Sequence, residues 1–320
     1  MRIFLTGASS GIGAAMARQF DAMGAELGLV GRNAQKLEDF AATLRTPERH
    51  RTYALDVTDR KALFEAARDF DGAAPTDIVI ANAGISIGVK TEFEEDLDVM
   101  ERVYSTNVFA MAATFHPFIE PMRRRGGGHF VGTASVAGIR GLPGSEAYCS
   151  SKAAAISYLE SLRNDVRKYG IKVTTISPGF VRTPLTAKNP YKMPFILEAD
   201  EFARRAVKAI LAQASYRTIP WQMGLVAKLL RVLPNSVFDA VMSGRGEKPR
   251  AKELCLCSSL AAVEKAIDLI ALEASHAGSG CRRPRRRQLL GKHVEPGAVA
   301  LAQRDVLALT HVHGNHIFPA

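Results

Sequence analysis

The chain has 320 residues, 47% of them hydrophobic, and a formal net charge of +10, enough length and apolar content to bury one large core or two modest ones. The positive excess is spread along the chain, which suits an anionic ligand and does not single out nucleic acid as a partner. No apolar run reaches the roughly 18 residues of a spanning helix, no basic-plus-apolar leader precedes the first strand, and Cys149, Cys255, Cys257 and Cys281 lack the spacing of a disulfide framework, so a cytoplasmic protein is expected.

The first 180 or so residues alternate two signals. RIFLT is a short apolar run that stops at glycine. GIGAAMARQFDAMG follows with helical spacing and ends on Gly24, a residue suited to a helix C-terminus. ELGLV is a second strand, and NAQKLEDFAATL a helix for which Asn33 is an N-cap candidate. RTYALDV and DRKALFEAARDF repeat the cycle. TDIVIANAG, HFVGTAS and IKVTTISPG read as the fourth, fifth and sixth strands, with a long helical pattern over 146–169 before the last. SYRTI is a final short strand. Such alternation predicts an α/β fold, a doubly wound parallel sheet of Rossmann type in one domain with helices on both faces.

TGASSGIG, Thr6 to Gly13, falls between the first strand and the first helix. There Gly7 allows a sharp turn, Gly11 the approach of backbone to a pyrophosphate, and Gly13 close packing of helix on sheet. The amides and dipole of the helix N-terminus then favour the anion. A site built for NAD carries an acid at the end of the second strand, about 20 residues past the glycines. Here that place reads VGRN, with Gly31 followed by Arg32. A small residue leaves room for a 2′-phosphate and a guanidinium can hold one bidentately, which favours NADP(H) over NAD(H).

These residues resemble the short-chain dehydrogenase/reductase family over about residues 1–245. TGASSGIG is similar to its cofactor loop, and Asn82–Ala83–Gly84 to its motif after the fourth strand. Asn107 in STNV, Ser135 in TASVAG, and Tyr148 with Lys152 in AYCSSK are similar to its catalytic set. Pro178–Thr183, PGFVRT, is similar to its nicotinamide-side motif. The order agrees too, with Ser135 thirteen residues before Tyr148.

The resemblance implies an oxidoreductase that moves hydride between a nicotinamide and a carbonyl/alcohol substrate. Tyr148 would be the general acid/base, Ser135 would bond the substrate oxygen, Lys152 would hold the nicotinamide ribose, and Asn107 a water in a proton relay. Positions four apart share a helix face, so Lys152 can stand near Tyr148, and an ammonium there is expected to lower a phenol pKa that is otherwise about 10. The cofactor-binding set implied is Gly7, Ser9, Ser10, Gly11, Ile12, Gly13, Arg32, Asp56, Val57, Asn82, Ala83, Gly84, Tyr148, Lys152, Pro178, Gly179, Val181 and Thr183, with Asn82 more structural than catalytic. Asp56 has a local reading that is nearly as good, helix capping near Thr58. A catalytically idle cofactor-binding regulator or scaffold is the alternative function; the complete Asn-Ser-Tyr-Lys set argues against it. A homo-dimer or homo-tetramer is implied as well.

From 181 the pattern weakens. The loop that holds Leu185, Tyr191, Met193, Phe195 and Ile196 suggests an apolar substrate. Residues 221–233 form an apolar stretch with two cations, Lys228 and Arg231, suited to a subunit interface or the core, or else to peripheral contact with a membrane. Residues 246–320 read as an appended, poorly packed tail, in which 261–278 has helical spacing. Its RRPRRR run, Arg282–Arg287, reads as solvated charge rather than a nucleic-acid patch, with no aromatics interleaved to stack on bases. Cys281 with His311, His313 and His316 matches no metal-ligand spacing, so no metal is expected.

Overall fold

Ile3 and Leu5 of the first strand lie in one hydrophobic core, and Phe4 between them lies in another. That split is the period of two of a strand buried on both faces, and it fixes the layers of this computed structural model, which describes residues 1–252 except Lys188 and Arg245.

The strands are β1 (Arg2–Thr6), β2 (Glu26–Gly31), β3 (Arg51–Ala54), β4 (Ile78–Ala81), β5 (Gly128–Thr133), β6 (Ile171–Pro178), a minor pair β7 (Val181–Arg182) and β8 (Leu197–Glu198), and β9 (Tyr216–Ile219). The helices are α1 (Gly11–Ala22), α2 (Ala34–Ala42), α3 (Arg60–Ala73), α4 (Glu95–Tyr104), α5 (Ala110–Arg124), α6 (Glu146–Val166), α7 (Ala199–Leu211), α8 (Trp221–Val232) and α9 (Asn235–Met242). The main sheet has the order β3-β2-β1-β4-β5-β6-β9 and every pairing in it is parallel. This is the doubly wound, Rossmann-type sheet that the alternation predicts.

Side chains of α1, α2 and α7 complete the core on one face, and those of α3, α5 and α6 complete the other. Phe4 anchors the second core, with ring centroids 5.2 Å from Phe118 and 5.8 Å from Phe70. Each fully buried phenylalanine contributes on the order of 2 kcal/mol of burial free energy. Local signals hold as well: Asn33 Oδ1 accepts from the Lys36 amide at 2.8 Å and caps α2, and Gly24 leaves α1 with φ +77°. Because β2 and β3 lie to one side of β1 and β4 to the other, the chain reverses its strand order at β1/β4. In such sheets ligands bind at the carboxyl ends of the strands beside this switch.

Residues 246–252 pack against the domain. Gly88 forms a parallel bridge with Arg250, and the Arg250 guanidinium is buried against Asp96 (2.7 Å) and Glu95 (3.1 Å). The stretch 221–233 is amphipathic in a second sense: Met223 and Ala227 are buried, whereas Trp221, Leu225, Leu229 and Val232 face outward. The tail readings, including the 261–278 helix, the arginine run and the His/Cys group, fall outside the described residues. Among the described residues no helix is long and apolar enough to cross a membrane.

Candidate active site

The loop after β1 carries Gly7 with φ +69° and Gly11 with φ +55°, backbone conformations that favour glycine. A Cβ on Gly13 would stand 2.0 Å from the Gly7 carbonyl oxygen, and one on Gly7 2.9 Å from the Ala83 Cα. The cradle therefore closes to this radius only with glycine. Ser10 precedes α1 without a side-chain cap, so the first amides of the helix face the cleft. These features fit the pyrophosphate of a dinucleotide.

Asn82 ties the cradle to the end of β4. Its Nδ2 donates to the carbonyls of Thr6 (3.1 Å) and Gly7 (3.3 Å), and the amides of Asn82 (3.1 Å) and Ala83 (3.2 Å) donate to Thr6 Oγ1. At the ends of β2 and β3, Arg32 Nη1 stands 3.7 Å from Asp56 Oδ2, with both side chains well exposed. Asp56 also accepts from the Thr58 amide (2.9 Å) and hydroxyl (2.7 Å). Burial alone would raise the Asp56 carboxyl, but the Thr58 hydrogen bonds and the Arg32 charge outweigh it and hold it below the usual range. A Cβ on Gly31 would meet Leu37 Cδ1 and Ser9 Oγ at 3.3 Å, so this strand end has little room for the acid of an NAD site.

One cleft is lined by all of the expected cofactor set: Gly7, Ser9 to Gly13, Arg32, Asp56, Val57, Asn82 to Gly84, Tyr148, Lys152, Pro178, Gly179, Val181 and Thr183. Thr183 closes the cleft from above the sheet, with its Cγ2 3.2 Å from where a Gly11 Cβ would stand.

Ser135, Tyr148 and Lys152 line the end of this cleft, and Asn107 is buried behind Gly84. Ser135 leaves β5, accepts from the Ala137 amide at 3.1 Å, and is buried. Tyr148 and Lys152 lie one turn apart on α6. Lys152 Nζ donates to the Thr133 carbonyl at 2.8 Å and stands 6.0 Å from the centre of the Tyr148 ring. Asn107 sits in a π-helical turn (Ser105–Phe109) between α4 and α5, an irregularity often found at functional sites. It is fully buried, donates to Ile85 O and Ser151 Oγ (both 3.0 Å), and accepts from the Ile85 amide (2.9 Å). Asn107 thus holds the exit of β4 against α6, and its Oδ1 and Lys152 Nζ both border Gly84.

The electrostatics correct one expectation. Burial pushes the Tyr148 phenol up to about 12, and the hydrogen bond with Ser135 only moderates the rise. Burial also pulls the Lys152 ammonium down to about 8. Lys152 is bonded to Thr133 O with its Nζ 6.0 Å from the ring centre, and desolvation is the largest effect on the phenol.

A second cavity meets the first. Ser135, Tyr148, Gly179, Leu185 and Thr186 line both, whereas Lys152 lines only the first. Leu185 and Tyr191 reach this second cavity as the sequence suggests; Met193, Phe195 and Ile196 do not line it, and Phe195 is exposed. The missing wall comes from α8, whose Met223, Val226, Ala227 and Leu230 face inward. Arg140 fixes that helix: its guanidinium donates to the carbonyls of Leu230, Arg231 (3.2 Å) and Leu233 (2.8 Å) and to Asn235 Oδ1 (3.0 Å). Sequence reasoning missed this wall. The signal was present in the apolar spacing 223, 226/227, 230, but it does not say what the face covers.

The family model of the short chain dehydrogenases matches residues 1–193. The chain belongs to this family. A protein of Myxococcus xanthus described as an uncharacterized oxidoreductase is 37% identical over 241 residues, covering 74% of this chain and 94% of that one. Among solved structures, a short-chain dehydrogenase from Streptomyces avermitilis superposes with a TM-score of 0.62 at 25% identity, over 75% of this chain and 94% of that one. An alcohol dehydrogenase from Thermococcus sibiricus, complexed with 5-hydroxy-NADP, does so with a TM-score of 0.59 at 26% identity, over 68% and 94%. The chain is accordingly an oxidoreductase of short-chain type that uses a nicotinamide cofactor.

Proposed function

We propose that the chain is an NADP(H)-dependent oxidoreductase that interconverts a carbonyl compound and its alcohol, with Tyr148 as general acid/base. The observation that carries this reading is the junction: Ser135 and Tyr148 line both cavities, so a carbonyl in the second cavity can touch both residues beside the mouth of the first. The cofactor, when bound, supplies or takes up hydride.

The rest is done by side chains. Ser135 donates to the carbonyl oxygen and holds it. Tyr148 gives that oxygen its proton in reduction and takes the hydroxyl proton in oxidation. Lys152 holds the nicotinamide ribose and places positive charge beside the phenol. Asn107, bonded to Ile85 and Ser151, keeps α6 in register and serves the relay behind Lys152. Thr183 holds the carboxamide of the nicotinamide.

Arg32 and the lack of a side chain at Gly31 support NADP(H) over NAD(H), with Arg32 leaving Asp56 for the 2′-phosphate. The outward row Trp221, Leu225, Leu229 and Val232 supports self-association as a homo-dimer or homo-tetramer over a monomer. Following nicotinamide absorbance with NADPH and NADH against aldehydes, ketones and their alcohols tests the reading. Turnover that prefers NADPH is expected; tight NADPH binding without turnover on any carbonyl would point instead to a cofactor-binding regulator.

A further inference from the structure

Lys248 lies about a hundred residues beyond the Tyr148–Lys152 pair, in the strap that closes the domain, yet its side chain enters the substrate cavity. It is 9% exposed. Its Nζ donates to Ser86 Oγ and stands 5.2 Å from the centre of the Tyr148 ring, closer than Lys152 does.

The position is built. On one side of Lys248, Glu247 pairs with Lys90 at 2.7 Å. On the other, the Pro249 carbonyl accepts from the Gly88 amide at 3.1 Å, and Arg250 is clamped on Asp96 and Glu95 with its guanidinium 3.5 Å from the centre of the Phe93 ring. The neighbouring carboxylates are therefore engaged elsewhere, and among the described residues none lies within ion-pair distance of Lys248.

An ammonium has three donors, and among the described residues this one meets a single neutral acceptor and an aromatic ring. Burying a cation this way is costly unless an anion reaches it. Burial pulls Lys248 down to about 8, which leaves it mostly charged at neutral pH. Arg140, the other cation lining the cavity among the described residues, is spent on the carbonyls at the end of α8. The remaining lining is largely apolar, including Leu142, Phe180, Leu185, Met223, Val226 and Leu230.

We propose that Lys248 and Ser86 form an anion subsite in the substrate cavity, so that the substrate is an amphiphile with a carboxylate or phosphate near its reacting carbonyl and an apolar body against α8. The inference rests on the oxidoreductase reading above for which atom reacts, but not for the anion site itself.

Calorimetric titration of the full chain with octanoate, octyl phosphate and octanol tests it without turnover. At least one of the two anions is expected to bind about ten-fold or more tighter than octanol, the scale of one charge-assisted hydrogen bond. Tighter octanoate assigns a carboxylate substrate, and tighter octyl phosphate a phosphate. In Lys248→Gln the preference is expected to vanish while NADPH affinity, titrated in the same samples, holds, because Lys248 does not line the cofactor cleft. Equal affinity of all three probes for the unaltered chain overturns the proposal, as does an anion preference that survives in Lys248→Gln. Failure of NADPH to bind would count against the redox reading alone, since the anion preference is read separately.

Discussion

Lys152 donates its Nζ to the Thr133 carbonyl at 2.8 Å, a bond that joins α6 to the end of β5 beneath the cofactor cleft. The bond fixes a buried cation one helical turn from Tyr148, and burial draws that cation down to about 8. The Tyr148 phenol is pushed the other way, to about 12. In the proposed mechanism the pair would split the acid–base labour, with Tyr148 keeping its proton through the neutral range and Lys152 changing charge near it.

A pH profile reads this directly. In carbonyl reduction the proton donor is present at every accessible pH, so the loss comes from Lys152. Reduction with NADPH is expected to be flat from about pH 6 to 7.5 and to fall as the pH rises through about 8, where the lowered ammonium deprotonates. Lys248 is also drawn down to about 8, so the profile is repeated in Lys248→Gln. The fall is expected to remain there; its disappearance would assign it to Lys248 instead.

Arg32 is the test of cofactor choice. Its exposed guanidinium has only a loose 3.7 Å contact with Asp56 to give up. Arg32→Ala is expected to raise the dissociation constant for NADPH by about ten-fold or more, equivalent to about 1.4 kcal/mol, while changing that for NADH by less than about two-fold. Fluorescence titration of both reduced cofactors measures it, and equal effects on the two would remove Arg32 from the 2′-phosphate.

Two glycines separate the cradle from background. Gly13→Ala puts a methyl 2.0 Å from the Gly7 carbonyl. Nucleotide binding is expected to be lost and the domain destabilised by about 1–3 kcal/mol. Gly72 in α3 has nothing within 4 Å of its missing Cβ, so Gly72→Ala is expected to be neutral or to stabilise by up to about 1 kcal/mol. Thermal melts with and without NADPH compare the two.

Much of this site could be read in the sequence because its determinants are local. The turn glycines fall between a strand and a helix, and Tyr148 and Lys152 are set by the helical period. Gly31 and Arg32 sit at the strand end where the ribose of a dinucleotide is met. The substrate side was not legible, because its wall is assembled from distant pieces. The residues 223, 226, 227 and 230 show a buried face without naming what it covers. Lys248 sits in a short polar stretch without period, and the contacts of its neighbours Glu247, Pro249 and Arg250 with the domain bring it to Tyr148. The pKa of Tyr148 was misjudged for a similar reason: sequence spacing counts the charge four residues away but not the burial that opposes it.

Replacing Tyr148 with phenylalanine tests the central claim most directly, because it removes one oxygen and leaves the ring in place. Nicotinamide absorbance is followed with NADPH and a reducible carbonyl for both proteins, and NADPH binding is titrated alongside. The expected result is a fall in kcat/KM of about 10²–10⁴-fold with cofactor affinity unchanged, the scale of one lost general acid. Undiminished turnover in Tyr148→Phe, with NADPH bound equally well, would contradict the account and place the proton donor elsewhere.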